Sequence, residues 1–371
     1  MSLHTVAYLT PLYFDEESCL GGGERYPVNL GKGVVDASAG RVRVEILSYG
    51  RRSLVRELHH GVTLRVMEAA NQPLNPLDVT SWELLDALAN VDLVHIHMIY
   101  TRSNEVACLV AKQMGKPVVM TDHGGKSSSL GQELGILELA DRIVAYSDFG
   151  ASLYATRRPI TVIKGGVDGT LFTPAADQPT PVRDRVLFVG RLLPHKGVDR
   201  LIAALPESLP LTLCGRPYHP AYFERLRELS RGKQVKFVMD ADDAQIRELY
   251  RRAWVNVLPS VYRDCYGIVH AAPELMGFTL LEAMACGTPA ICSRVAAMPE
   301  FIREGETGFV FDTESELTLQ LLELAENSAL VERMGRAARQ AVEREFDLKV
   351  AGRALLGVYE EVMNQARGAA A

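Results

Sequence analysis

Along nearly the whole chain, short β-branched runs alternate with amphipathic stretches, and this alternation restricts the fold more than any other feature. In the first half, residues 5–10, 42–49, 62–68, 93–98, 117–123, 142–147 and 160–165 read as strands. Helical spacing marks 24–35, 81–89, 103–114, 130–139 and 148–157. From Asp168 to Arg185 the pattern breaks at Pro174, Pro179 and Pro181, which predicts a linker. The same grammar then restarts. Strands are expected at 186–190, 211–215, 235–239, 255–259, 289–293 and 308–311. Helices are expected at 198–205, 221–230, 243–253 and 279–286, with two more across 314–345 and a last one at 348–365. An α/β class follows, with two doubly wound domains and ligands at the carboxyl ends of the strands, in a cleft between the domains.

Length agrees, since 371 residues exceed one comfortable core. The formal net charge of −6 argues against a nucleic-acid partner. No apolar run reaches the length that spans a bilayer, and the six cysteines form no Cys-x-x-Cys pair, so buried reduced thiols in a cytoplasmic protein are expected. Arg51, Arg52 and Arg56 in a loop over 49–57 suit an anionic lipid surface or, more simply, solvent.

Chemistry concentrates at the predicted strand ends. Glu274 and Glu282, with seven residues between them, stand on either side of Gly-Phe-Thr, just ahead of and inside a short apolar helix. A helix N-terminus there forms an anion site, with Glu274 on one side and Glu282 a turn further in. Thr279-Leu-Leu-Glu282 is equally a capping box, Thr279 being the cap, and the two readings stand level on these residues alone. Arg191 and Lys196, five apart after a strand, can clamp a diphosphate as fork and point charge. His123 precedes two glycines at a strand end and faces the expected cleft, or else is a loop histidine bonded to a carbonyl. Gly21-Gly22-Gly23 before a helix lets backbone approach a charged ligand, or simply makes a flexible turn. His95 and His97 share a strand face without a third ligand and read as ordinary strand residues. Asp240, Asp242 and Asp243 read as helix capping rather than a metal site.

In this order, the segments resemble the retaining nucleotide-sugar glycosyltransferases of family four, which have the GT-B fold. The likeness rests on Gly22-Gly23, Asp122-His123-Gly124, Gly165-Gly166-Val167-Asp168, Val189-Gly190-Arg191-Leu192 with Lys196-Gly197, Val257-Leu258-Pro259-Ser260, and the Glu-x7-Glu signature ending at Pro289. It implies an N-terminal acceptor domain over 1–173, joined by a returning C-terminal helix at 348–371, and a donor domain over 174–347. It implies that His123, Arg191, Lys196 and Glu274 carry catalysis. Arg191 and Lys196 hold the donor diphosphate, Glu274 and His123 contact the donor sugar, and Glu282 grips the ribose. Phe278, Thr279 and Leu280 offer backbone N–H groups, Met239 and Ala241 lie at the base, and Gly22-Gly23 lies under the phosphates. No metal or other cofactor is expected beyond the nucleoside-diphosphate sugar, a UDP- or GDP-sugar. The implied acceptor is a hydroxyl on a glycan, a lipid-linked or a small molecule, in polysaccharide, glycolipid or secondary-metabolite assembly. A cytoplasmic site is implied, with peripheral contact at the membrane's inner face left open. A sugar-nucleotide epimerase or a non-catalytic nucleotide-sugar-binding regulator are the alternatives. Departures from the family pattern are the 261–273 insertion, Met239 in place of a usual glycine, Lys164-Gly165, and Ala296-Ala297.

Overall fold

A computed structural model describes residues 4–11, 22–124, 130–175 and 182–370. The chain divides into two compact units, Met1–Gly166 with Leu348–Ala371, and Val167–Asp347. The division falls at Gly166, ahead of the expected 173. Val167 N–H donates to Phe346 O at 3.1 Å, and Arg339 donates to the carbonyls of Gly169 and Phe172, so this stretch is bonded into the second unit.

Among its described residues the first unit holds eight strands: β1 (His4–Leu9), β2 (Val42–Gly50), β3 (Leu54–His59), β4 (Val62–Glu68), β5 (Leu93–His97), β6 (Val118–Thr121), β7 (Arg142–Ala145) and β8 (Ile160–Val162). Their order is β3-β4-β2-β1-β5-β6-β7-β8, parallel except for the β3–β4 hairpin. Every residue of β5 and β6 is buried, as a sheet covered on both faces requires. β3 occupies much of what reads as a loop over 49–57. It is an edge strand with Val55, Arg56 and Glu57 exposed, so it shows little apolar alternation.

Two other expectations fail in this unit. Residues 130–139 carry leucines at helical spacing but form turns and a short 3-10 segment, Ile136–Leu139. Gly135 sits at φ +62°, which breaks a helix, and a Cβ on Gly131 would lie 2.5 Å from Glu105 Oε1. The helix begun at Asp148 stops at Ser152. The helix Leu348–Ala370 packs against Gly22–Ala37 so closely that a Cβ on Gly33 would meet Leu348 O at 2.2 Å.

Among its described residues the second unit has six parallel strands: β9 (Arg185–Val189), β10 (Leu211–Cys214), β11 (Val235–Val238), β12 (Ala253–Leu258), β13 (Ala290–Ser293) and β14 (Gly308–Phe311). Their order is β11-β10-β9-β12-β13-β14. The chain therefore winds outward one way from β9 and the other way from β12. Between those strands, at their carboxyl ends, lies the crevice that this topology offers a ligand.

Candidate active site

Two loops flank that crevice in the second unit: 190–197 after β9 and 259–277 after β12. Gly215 at the end of β10 lets the first loop lie flat, because a Cβ there would sit 1.8 Å from Gly190 O. Gly197 fastens the two loops together. Its φ is +63°, a Cβ on it would sit 2.1 Å from Pro259 O, and Val261 N–H donates to His195 O at 2.9 Å. The Lys-Gly pair in the sequence thus has a steric reason.

The outcome is that Lys196 and Glu274 meet. Lys196 Nζ donates to Glu274 Oε1, which also accepts from Ser260 Oγ at 2.8 Å. Ser260 is fixed in turn by Ser293 Oγ, which donates to its carbonyl at 2.5 Å. Both side chains of the ion pair are largely enclosed, at 14% and 9% exposure, so water screens it weakly. Arg191 is exposed on the same loop and forms no salt bridge among the described residues.

The helix carrying Glu282 runs Phe278–Ala285, one residue earlier than its sequence suggests. Gly277, at φ +79°, is its N-cap, and no side chain caps it. Thr279 lies inside the first turn, so the capping-box reading is overturned. Glu282 is buried and its Oε2 accepts from the Tyr250 hydroxyl at 2.9 Å. Leu280 N–H donates to Gly277 O at 2.9 Å, which removes it from the donors expected at this helix start. Met239 and Ala241 follow β11, at the edge of the sheet. Asp242 beside them caps the helix Asp243–Arg252 in a true capping box with Gln245.

The 261–273 insertion is a built knuckle. Asp264 Oδ1 accepts from the N–H groups of Tyr266 and Ile268 at 2.9 and 3.0 Å, and Oδ2 lies 2.9 Å from His270 Nε2. Burial pushes the Asp264 carboxyl up, yet these hydrogen bonds hold it below the usual carboxylate range. His270 packs beside His195, ring centroids 5.0 Å apart. Burial and the neighbouring Lys196 charge lower His195 to about 4, so it is neutral at neutral pH. Neither histidine stands out in the sequence. Cys265 on the knuckle is exposed, against the expectation that every cysteine is buried; Cys108, Cys214, Cys286 and Cys292 are buried.

In the first unit, His123 follows β6 and is partly exposed. Its Nε2 lies 2.6 Å from His97 Nδ1, and its Nδ1 contacts the Tyr146 hydroxyl. Burial lowers its pKa to about 3, so the ring is neutral. Position in the sequence gave His97 no part in this; only the pairing of β5 with β6 supplies it. Gly22 and Gly23 form the first turn of the helix Gly22–Ala37 rather than a loop ahead of it, while Gly21 and Cys19 lie outside the described residues. Among the described residues, no group of three or more His, Cys, Asp or Glu is placed to hold a metal ion, and no helix is long and apolar enough to cross a membrane.

Two largely parallel sheets, one in each unit, with this topology and these loops define the GT-B class. A solved sucrose-phosphate synthase from Thermosynechococcus elongatus superposes with a TM-score of 0.73 at 21% identity, covering 98% of this chain and 100% of that one. The Anabaena protein HepE, solved with UDP and glucose, gives 0.72 at 18% identity, covering 96% and 100%. In sequence, a D-inositol 3-phosphate glycosyltransferase of Streptomyces avermitilis is 28% identical over 99% of this chain and 88% of its own length. The family described as Glycosyltransferase Family 4 matches residues 20–171, and that described as Glycosyl transferases group 1 matches 176–341. The chain belongs to the family-four glycosyltransferases and is a hexosyltransferase-type enzyme.

Proposed function

We propose that the protein transfers a sugar, with retention of anomeric configuration, from a UDP-sugar or GDP-sugar to a hydroxyl acceptor in polysaccharide, glycolipid or secondary-metabolite assembly. The observation that carries this reading is the Lys196–Glu274–Ser260 constellation in the crevice between β9 and β12. UDP is the favoured nucleotide, since HepE was solved with it.

Lys196 and the exposed Arg191 take the donor diphosphate. As the glycosidic bond lengthens, negative charge gathers on the departing phosphate and the sugar becomes oxocarbenium-like. Cations already in place stabilise that state more than the ground state. Glu274 leaves its partner Lys196 enough freedom to turn a remaining N–H toward phosphate, and itself meets the sugar hydroxyls. Glu282 grips the ribose, Met239 and Ala241 flank the base, and the Phe278–Thr279 backbone together with Gly22-Gly23 serves the phosphates. His123 contacts the donor sugar. These cations do the work a divalent metal performs elsewhere, so turnover is expected to survive a chelator.

Replacing Lys196 with Ala is expected to remove about 3–4 kcal/mol of transition-state stabilisation, the size of one lost preorganised donor. Donor turnover measured with and without acceptor checks this, and a loss below about tenfold would falsify the role. Recovery of an isomerised sugar nucleotide, with no sugar transferred or hydrolysed, marks an epimerase instead. A thermal-shift comparison of UDP, GDP and their sugar conjugates selects the donor, because a bound ligand raises the melting point by mass action.

A further inference from the structure

Two histidines on β5 stand side by side, ring centroids 4.2 Å apart, with opposite hydrogen-bond accounts. His95 is satisfied at both nitrogens. Its Nδ1 lies 2.6 Å from the Tyr359 hydroxyl and its Nε2 lies 2.7 Å from Thr121 Oγ1. The Tyr359 hydroxyl donates to Tyr8 at 2.9 Å, so it accepts from His95, and the His95 tautomer is fixed. His97 is just as buried, but among the described residues its ring has one hydrogen-bond partner, His123, at 2.6 Å, and its Nε2 is buried with none.

Burial holds both His97 and His123 neutral, so one proton serves the bond between them. If His123 Nε2–H donates, His97 Nε2 carries an unpaired N–H; if His97 Nδ1–H donates, His97 Nε2 is a bare acceptor. Either way the fold retains a buried orphan that costs about 1–3 kcal/mol, and an apolar side chain would abolish it. The two rings also stack, 4.8 Å apart and 21° from parallel. What His97 gains for the protein lies therefore outside stability.

We propose that His97 is a positioning residue for sugar transfer: through its Nδ1 it fixes the tautomer and rotamer of His123. The inference rests on the reading in which His123 contacts the donor sugar. Because His97 is wholly buried, His123 Nε2 stays committed to it, and Nδ1 is the nitrogen that exchanges the Tyr146 hydroxyl for a hydroxyl of the sugar.

The test compares His97→Leu, His97→Phe, His97→Asn, His123→Ala and the double variant His97→Leu with His123→Ala. The probe is whichever of UDP-glucose, UDP-galactose, UDP-N-acetylglucosamine and GDP-mannose the unaltered protein turns over fastest. His97→Leu or His97→Phe is expected to keep or raise the urea midpoint while kcat falls by about tenfold or more at nearly unchanged donor KM. His97→Asn, with an amide near the Nδ1 position, is expected to recover most of the rate. In the His123→Ala background the His97 substitution is expected to cost less than about twofold. Full activity in both folded apolar variants overturns the proposal, as do losses that multiply in the double variant. Full activity in His123→Ala overturns both it and the role given to His123, while transfer by the unaltered protein leaves the transferase reading standing. A chain that turns over none of the four donors overturns that reading and this proposal together.

Discussion

Gly197 shows how one residue holds the site. It joins two loops, and neither its backbone angle nor its surroundings admit a side chain, since a Cβ would approach Pro259 O to 2.1 Å. Gly197→Ala is expected to lower stability by about 1–3 kcal/mol through the left-handed backbone and the displaced carbonyl. Because Lys196 moves with it, donor turnover should fall further than the urea midpoint suggests, and measuring both separates strain from misplacement. Tyr250 acts on Glu282 in a similar way. Its hydroxyl donates to a buried carboxylate, a bond worth about 1.5–3 kcal/mol. With Tyr250→Phe the carboxylate loses its orientation, so nucleotide affinity should drop about tenfold or more while kcat changes little. Titration calorimetry with UDP decides this, and unchanged affinity would separate Glu282 from the ribose.

At the scale of elements, the knuckle over 261–273 is a small structure organised on one carboxylate. Asp264 collects two backbone N–H groups and His270, and Tyr262 ties the far side by accepting from Ala296 N–H at 2.8 Å. Asp264→Ala is expected to raise hydrogen exchange across 262–270 while the melting temperature moves by only a few degrees, because few core residues depend on the loop. A shift in exchange spread over the whole second unit would argue for a larger structural role. This element also marks where sequence reading stops. Strands of the second unit are legible because parallel strands buried on both faces carry mostly apolar runs, such as the four residues that end Arg185–Val189. β3 is not, because an exposed edge strand bearing Arg56 and Glu57 has no such run. Residues 130–139 mislead because leucine spacing survives while Gly135, at φ +62°, interrupts the helix. In the site, Lys196 and Glu274 are legible as motif residues. His97 and Tyr250 are not, since each is defined by a partner on another element, such as Tyr250 by a carboxylate 32 residues away.

Across the whole molecule, the two units differ in how titration bears on them. The first unit encloses His95, His97 and His123, all shifted down, first of all by burial. A histidine held neutral in the fold binds fewer protons than in the unfolded chain, where it titrates near 6.5. Its stabilisation is therefore complete above about pH 6.5 and is lost as pH falls, at up to about 1.4 kcal/mol per pH unit for each fully buried ring. His123, being partly exposed, contributes less than its shift to about 3 implies on its own. Burial likewise raises Tyr8, Tyr26, Tyr146 and Tyr359, so the same unit loses stability again as pH climbs past about 10. In the second unit His195 is the one described histidine clearly shifted down, to about 4, and it is only partly buried. Acid should consequently open the first unit before the second, and a single unfolding free energy should not describe the transition. Hydrogen exchange followed by mass spectrometry at neutral pH and near pH 5, corrected for intrinsic rates, resolves the two. Protection in peptides from β5, β6 and Leu348–Ala370 is expected to fall well before that in β9 and β12. His97→Leu, which removes one of the three rings, should shallow the pH slope of the first unit alone. Equal loss in both units, or earlier loss in the second, would mean that the buried histidine cluster does not govern acid sensitivity.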